Sequence, residues 1–491
     1  MGSSLTTLAA IDLGASSGRV IVGRLGEGRL DLTEVHRFGH EPQQVDGTLR
    51  WDWATLLAGV RAGLREATER FGPPAAISCD SWAVDFGLLD AAGELLEPPA
   101  CYRDPRTEGL PGSFADVISP DALVARVGAM ALPIITLCQL RVMAQNELDT
   151  LTRARSLLHI CDLIHHDLTG VAATDRTMAT ASGLRHLASG DWDRDLLTLL
   201  GIPTHFLPRC LERPGVLGTV AADRAPHADL IGVSVASTAG HDTAAASVVS
   251  PREDHVFLSC GTWSMLGTLS ARPVVTATMA TEMLESIGAG GGGWLLMCPL
   301  TGLWPLQQCM LQWRRSGAAA PWADLIGAAG SLSGPIPTVV DVGHPLITGP
   351  GDMLAAIGEY CARTGQVAPA DAPEMARVLL QSIALEHLLG VESQARVTNR
   401  QFTAVRLVGG GSANALLCQW TADAVGLPVI AGPMEATALG NLLLQAQVLG
   451  LVGEDVSELV EASAPATIYQ PQAAPDAALV ARYRDLKTRG V

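Results

Sequence analysis

Two hydrophobic periods alternate along this chain. Leu8-Ala-Ala-Ile-Asp-Leu13 predicts a buried strand, Gly14 to Arg19 a turn, and Val20 to Leu25 the return strand of a hairpin. Helical spacing follows over 54–70, with Leu56, Leu57, Val60 and Leu64 on one side and Arg61, Arg65, Glu66 and Glu69 on the other. Ala76-Ile-Ser-Cys79 predicts a second buried strand, which runs into the polar, aromatic stretch Asp80 to Asp90. The segment 121–190 reads as mainly helical, with a short strand at Leu184 and His186, and Gly232 to Ser237 reads as another buried strand.

The opening pattern then returns. His255 to Cys260, the turn Gly261-Thr-Trp-Ser264, and Met265 to Leu269 again read strand, small polar turn, strand. Two such hairpins far apart in one chain predict two related domains. Residues 273–300 read as loop-rich, and a helix starts at Gly302-Leu-Trp-Pro-Leu-Gln-Gln308, with Pro305 tolerable in its first turn. Residues 316–350 read as an irregular, Gly/Pro/Ala-rich excursion, and 373–395 as a long helix. Val405 to Val408 is a strand that feeds Gly409-Gly-Gly411 and a helix from Ala415. The expected organisation is an N-terminal domain over 5–247, a C-terminal domain over 248–468 and a tail over 469–491.

Length agrees with this division, since 491 residues exceed what one compact core holds. A net charge of −17 argues against nucleic acid or an anionic membrane as partner, while leaving room for a small phosphorylated ligand. None of the ten cysteines shows Cys-x-x-Cys spacing and no secretory leader is seen, which predicts reduced thiols in a cytoplasmic protein. His165 and His166 are adjacent and would not share a helix face, so zinc ligation and metal hydrolase chemistry are not expected. No apolar run is long enough to span a bilayer.

Several stretches carry candidate chemistry. Gly14-Ala-Ser-Ser-Gly18 presents amides and hydroxyls that could cradle phosphate, with Arg19 adding a charge-assisted contact. Asp12, at the end of the first strand, is placed to hold a water on Mg²⁺. Trp82 could stack on a sugar face and Asp85 accept hydroxyl hydrogen bonds, although Trp82 reads equally well as core. The glycine triplet 409–411 lets backbone pass close to a ring or a phosphate. In Ala239-Gly-His-Asp242, Asp242 reads either as a helix cap, its charged form favoured by nearby amides, or as a general base. Donors for phosphates, a place for Mg²⁺ and one carboxylate between the halves are the parts that phosphoryl transfer needs.

Specific motifs narrow this further. Asp12-Leu-Gly-Ala-Ser-Ser-Gly-Arg19, Ser81-Trp-Ala-Val-Asp-Phe86, Tyr102-Arg-Asp104, Thr136-Leu137 with Gln139-Leu140-Arg141, His241-Asp-Thr243, Gly261-Thr-Trp-Ser264, Gly302-Leu-Trp304, Val408-Gly-Gly-Gly411 and Ala431-Gly-Pro433 stand in the order of the FGGY carbohydrate kinases. The chain resembles that family over roughly residues 8–450, and within it the rhamnulokinase branch. The resemblance implies an α/β, two-domain actin/hexokinase-like (ribonuclease H-like) ATPase fold with an interdomain cleft. It implies transfer of phosphate from MgATP to a ketose hydroxyl, the 1-hydroxyl in the case of L-rhamnulose. It assigns Asp242 as catalytic base with His241 and Thr243 beside it, and Trp82, Ala83, Asp85 and Pro299 to the sugar. Ala15, Ser16, Ser17, Gly18, Arg19, Thr262, Gln307 and Gly410 fall to ATP. A sugar and ATP are the expected partners, with a second copy of the chain as a candidate. Ala83 and Pro299 depart from the branch, which has Gly and Asn there, so L-fuculose or another ketose competes with L-rhamnulose. A non-catalytic, nucleotide-binding sugar sensor is the alternative from another class.

Overall fold

Thr6–Leu13 and Ser17–Gly26 form the first expected hairpin, antiparallel, with Asp12 opposite Arg19. In this computed structural model the described residues are 5–114, 116–318, 320–334, 338–349 and 351–489. They separate into two compact units, Met1–Pro251 with Leu269–Leu296 and Ala436–Ala464, and Arg252–Thr268 with Met297–Glu435 and Pro465–Val491. The division therefore differs from a single cut near 247.

The first unit is built on a six-stranded sheet in the order Gly215–Thr219, Ser234–Ser237, Ala76–Ser81, Thr6–Leu13, Ser17–Gly26, Arg29–Gly39. Ala76–Ser81 lies parallel to the first strand and sets Asp80 beside Asp12. The predicted helix spans Trp53–Phe71, capped by Asp52 and burying Leu56, Val60 and Leu64. Helix Ala436–Val448 joins this unit because its apolar residues are buried all along its length and two amides reach the sheet. Gln445 donates to the Ala9 carbonyl at 3.0 Å and Asn441 to Asp80 at 2.6 Å.

Over 121–190 the structure departs in detail from the expectation. The helices are present, but Ser156–His159 and Ala173–Asp175 are strands, and Arg185 makes only an isolated bridge to Trp192. Both strands pair with segments distant in sequence, Phe86–Leu89 and Arg209–Leu211, so no local pattern announces them.

In the second unit the recurring hairpin is His255–Cys260 with Trp263–Ser270, again antiparallel. Of the strands of its sheet, six run in the order Trp294–Thr301, Trp263–Ser270, His255–Cys260, Ala404–Val408, Val429–Ala431, Thr467–Tyr469. The long helix covers Ala372–Thr398, capped by Asp371 at one end and by Asn399 in the left-handed region at the other. His387 at its centre meets Ser264 at 3.0 Å and Thr421 at 3.2 Å, and burial holds it neutral with its pKa lowered to about 3.

Two further expectations change here. The 316–350 segment contains a helix, Trp322–Ser331, with Leu325 and Ala329 buried one turn apart; residues 319, 335–337 and 350 lie outside the described ones. The C-terminal stretch read as a tail is helical and packs within the second unit. Helix Ala477–Arg489 buries Tyr483 and Leu486, and Tyr483 and Lys487 donate to Glu386 at 2.6 and 2.7 Å.

No disulfide joins the ten cysteines, nine of which are buried. His165 is a core residue whose Nε2 accepts from the Cys79 amide at 3.0 Å, its pKa pushed down to about 4 by burial. Among the described residues no helix is long and apolar enough to cross a membrane.

Candidate active site

In the first unit the hairpin turn closes through the Gly14 amide on the Ser17 carbonyl at 3.0 Å, with Ser16 exposed and Ala15 and Ser17 partly so. Gly18 answers first to packing. A Cβ there would stand 2.3 Å from Phe38 Cζ and 2.8 Å from Leu13 Cδ2. Arg19, expected on phosphate, donates to the carboxylate of Asp12, expected to face Mg²⁺. The strand register explains the pair, since the two residues are direct antiparallel partners.

Asp80 adds a carboxylate that pattern reading passed over. It is fully buried; burial and then the charge of Asp12 hold its carboxyl well above the usual range, and Asp242 adds to the effect. Asn441 satisfies Oδ2, while Oδ1 has no partner. The signal was in plain view, a charge ending an otherwise buried strand. Mutually repelling carboxylates with an orphaned buried oxygen fit a nearby divalent cation. Among the described residues, Cys161, Asp162 and Asp175 are the one group of three or more His, Cys, Asp or Glu side chains close enough to share an ion. Asp175 is already engaged, accepting from the Thr177 amide and hydroxyl and from the Gly240 amide.

Those bonds brace the turn that carries Asp242. Gly240 is required because a Cβ would lie 2.4 Å from Asp175 Oδ2, and the His241 amide donates to Thr177 Oγ1 at 3.1 Å. Helix Asp242–Ser247 begins here with His241 as N-cap and no side-chain cap. Asp242 is the first helical residue, not the cap. Its Oδ1 accepts from the Thr243 amide at 2.6 Å and hydroxyl at 3.3 Å. The expected preference for the charged form is outweighed. Although 32% of its side chain is exposed, the carboxyl sits over dense packing, and burial raises it to about 6 against the two Thr243 bonds. His241 Nε2 lies 3.4 Å from Asp242 Oδ1, and burial lowers the imidazole to about 4, so the ring is neutral.

The loop 82–85 starts between these elements. The Ser81 amide donates to the Gly240 carbonyl at 2.8 Å and the Trp82 amide to the Leu13 carbonyl at 3.1 Å. One short segment is therefore tied to both the hairpin turn and the Asp242 turn. Trp82 is only 6% exposed; it stacks on His40 with centroids 5.4 Å apart and meets Trp51 at 4.6 Å. Its ring is a wall fixed from within, not an open stacking platform. Asp85 also differs from the expected hydroxyl acceptor. It is fully buried, with Oδ2 accepting from Trp51 Nε1 at 2.7 Å, Trp82 Nε1 at 3.0 Å and the Tyr102 amide at 3.2 Å, and Oδ1 from Gln139 at 3.0 Å. Those four donors use the capacity a sugar would have used. No sequence pattern singles out His40. Its Nε2 donates to the Gly14 carbonyl at 2.9 Å, which joins the hairpin turn to Trp82.

In the second unit Thr262 Oγ1 donates to Gln307 Oε1 at 3.1 Å, both side chains in exposed surroundings. Gln307 lies on helix Trp304–Arg315, which has Pro305 in its first turn as expected. Gly410 opens the short helix after strand Ala404–Val408, and nothing lies within 4 Å of where its Cβ would stand. Gly411 beside it is packed, 2.6 Å from Cys260 Sγ by the same measure. Pro299 lies in strand Trp294–Thr301, partly buried.

Comparison with known proteins accords with this arrangement. Residues 7–249 match the N-terminal domain, and 256–448 the C-terminal domain, of the FGGY family of carbohydrate kinases. The chain is 34% identical to a rhamnulokinase of Bacteroides thetaiotaomicron, covering 96% of this chain and 97% of that one. It is 33% identical to a rhamnulokinase of Enterococcus faecalis, with 94% of each covered. Among solved structures, gluconate kinase from Lactobacillus acidophilus superposes with a TM-score of 0.79 at 19% identity, covering 99% and 97% of the two chains. Xylulose kinase from Rhodospirillum rubrum does so at 0.77 and 22% identity, with 98% of each covered. These two share the fold. The chain belongs to the FGGY family of carbohydrate kinases and is a sugar phosphotransferase of the two-domain, actin/hexokinase-like type.

Proposed function

We propose that this kinase transfers the γ-phosphate of MgATP to a ketose, with the 1-hydroxyl of L-rhamnulose as acceptor. The observation that carries the reading is Asp242, a partly exposed carboxylate raised to about 6, on a turn bridged to the start of the 82–85 loop. A base is most useful when its pKa lies near the working pH. Similarity to proteins named rhamnulokinase over nearly the whole chain supports the choice of sugar.

In this reading Asp242 takes the proton of the attacking hydroxyl. Neutral His241 and Thr243 orient the sugar beside it, and Trp82 and Ala83 wall the pocket. Asp85 acts through Trp82 instead of touching substrate. The turn Ala15 to Ser17 offers amides and hydroxyls to phosphate oxygens, while Thr262, Gln307 and Gly410 serve the nucleotide. Asp12 is the residue that would hold Mg²⁺ through water, with Asp80 behind it; the ion, when bound, neutralises charge on the transferring phosphate.

A second reading, L-fuculose or another ketose, rests on Ala83 and Pro299. An added methyl narrows a pocket, and proline removes a hydrogen-bonding side chain. A coupled ADP-release assay over a panel of ketoses separates the two. We expect L-rhamnulose to rank first, and Ala83→Gly with Pro299→Asn to widen its lead over L-fuculose. An unchanged ranking in the double variant would remove these residues from the pocket.

A further inference from the structure

Five non-glycine residues among those described have positive φ, and Val84 is the only β-branched one, at φ 76°. A valine there is sterically disfavoured and persists only where its surroundings impose it. Two side chains do so. Thr136 Oγ1 donates to the Val84 carbonyl at 2.8 Å, and Gln139 Nε2 reaches the same oxygen at 3.3 Å. Thr136 is fully buried and Gln139 is 2% exposed. Gln139 is itself fixed, donating to Asp85 Oδ1 and the Ile134 carbonyl, both at 3.0 Å, and accepting from Arg106 at 3.1 Å. Thr136 opens helix Thr136–Asn146, yet its hydroxyl leaves the helix to hold this one peptide.

We infer that Thr136 and Gln139 are positioning residues that hold Val84 in the left-handed region and so set the shape of the sugar pocket at Ala83. This rests on the proposed reading that the 82–85 loop lines that pocket. Ala83 and Val84 share a peptide plane with the strained bond, so relaxation of Val84 to negative φ re-aims the Ala83 carbonyl and methyl. Glycine at 84 adopts positive φ without that drive.

The test is a double-mutant cycle read as sugar KM, with KM for ATP as control. Thr136→Val removes the hydroxyl and keeps the shape. We expect it to raise sugar KM about tenfold, the scale of the cost of the left-handed region that Val84 is then free to relieve, with KM for ATP unchanged. In the Val84→Gly background the same substitution is expected to have almost no effect on sugar KM. An equal effect in both backgrounds, or none in the first, overturns the inference. Gln139→Met in both backgrounds gives the same reading if Thr136→Val fails to fold. Ala83→Leu tests the underlying reading by itself. A raised sugar KM keeps the loop in the pocket, whereas an unchanged one removes the pocket reading and the inference together.

Discussion

Asp242→Asn is expected to lower turnover by roughly two to four powers of ten while nucleotide and sugar still bind, the usual size for removal of a general base. The amide keeps the shape and one acceptor, so the Thr243 amide bond at the helix start survives. What is lost is the charge that, in the proposed reading, takes the hydroxyl proton. The parent enzyme carries a second signature. A base acts in its ionised form, and burial raises this carboxyl to about 6, so activity should be full above that pH and fall as pH drops through it. In Asp242→Asn the residual rate should lack that acid limb. Calorimetry for binding and ADP release for turnover, on one preparation, measure both. Near-parental turnover would return Asp242 to a structural part at the helix start.

Asp85→Ala is expected to be the most destabilising single change in the 82–85 loop. It strips the partner from Trp51, Trp82, Tyr102 and Gln139 at once in a fully buried place. Each orphaned buried donor costs roughly 1–3 kcal/mol, so even with relaxation the loss should be about 4 kcal/mol. Urea denaturation reads it as a lowered midpoint. Sugar affinity should fall with it, because Trp82 loses its anchor. A change under about 1 kcal/mol, within the range of ordinary surface substitutions, would mean that water replaces the carboxylate at little cost.

The fold was legible in the chain wherever pairing is local. Both hairpins follow from alternating buried runs around Gly/Ser turns, and the long helix from Val378, Leu379, Ile383 and Leu388 at helical spacing. Ser156–His159 was not legible, because its partner Phe86–Leu89 is remote and a run of four residues with only Leu157 and Leu158 apolar suits either state. The return of helix Ala436–Val448 to the first unit was hidden for the same reason. Only the structure brings Asn441 to Asp80.

At the site, residue types were legible before their duties. Asp242 could be singled out because little else in its run of alanines is reactive. Arg19 and Asp85 were found, but their engagement with Asp12 and with four protein donors depends on register and burial, which spacing does not encode. His40 acts through neighbours that only folding supplies, so it belongs to no motif.

The central claim is phosphoryl transfer from ATP to the 1-hydroxyl of a ketose, and the most direct test is the product itself. Enzyme, MgATP and L-rhamnulose would be followed by ³¹P NMR with proton-coupled detection. The account predicts stoichiometric ADP and a new phosphomonoester coupled to the two protons of C1, absent with Asp242→Asn. ADP without a sugar phosphate, or an ester at another carbon, would contradict it.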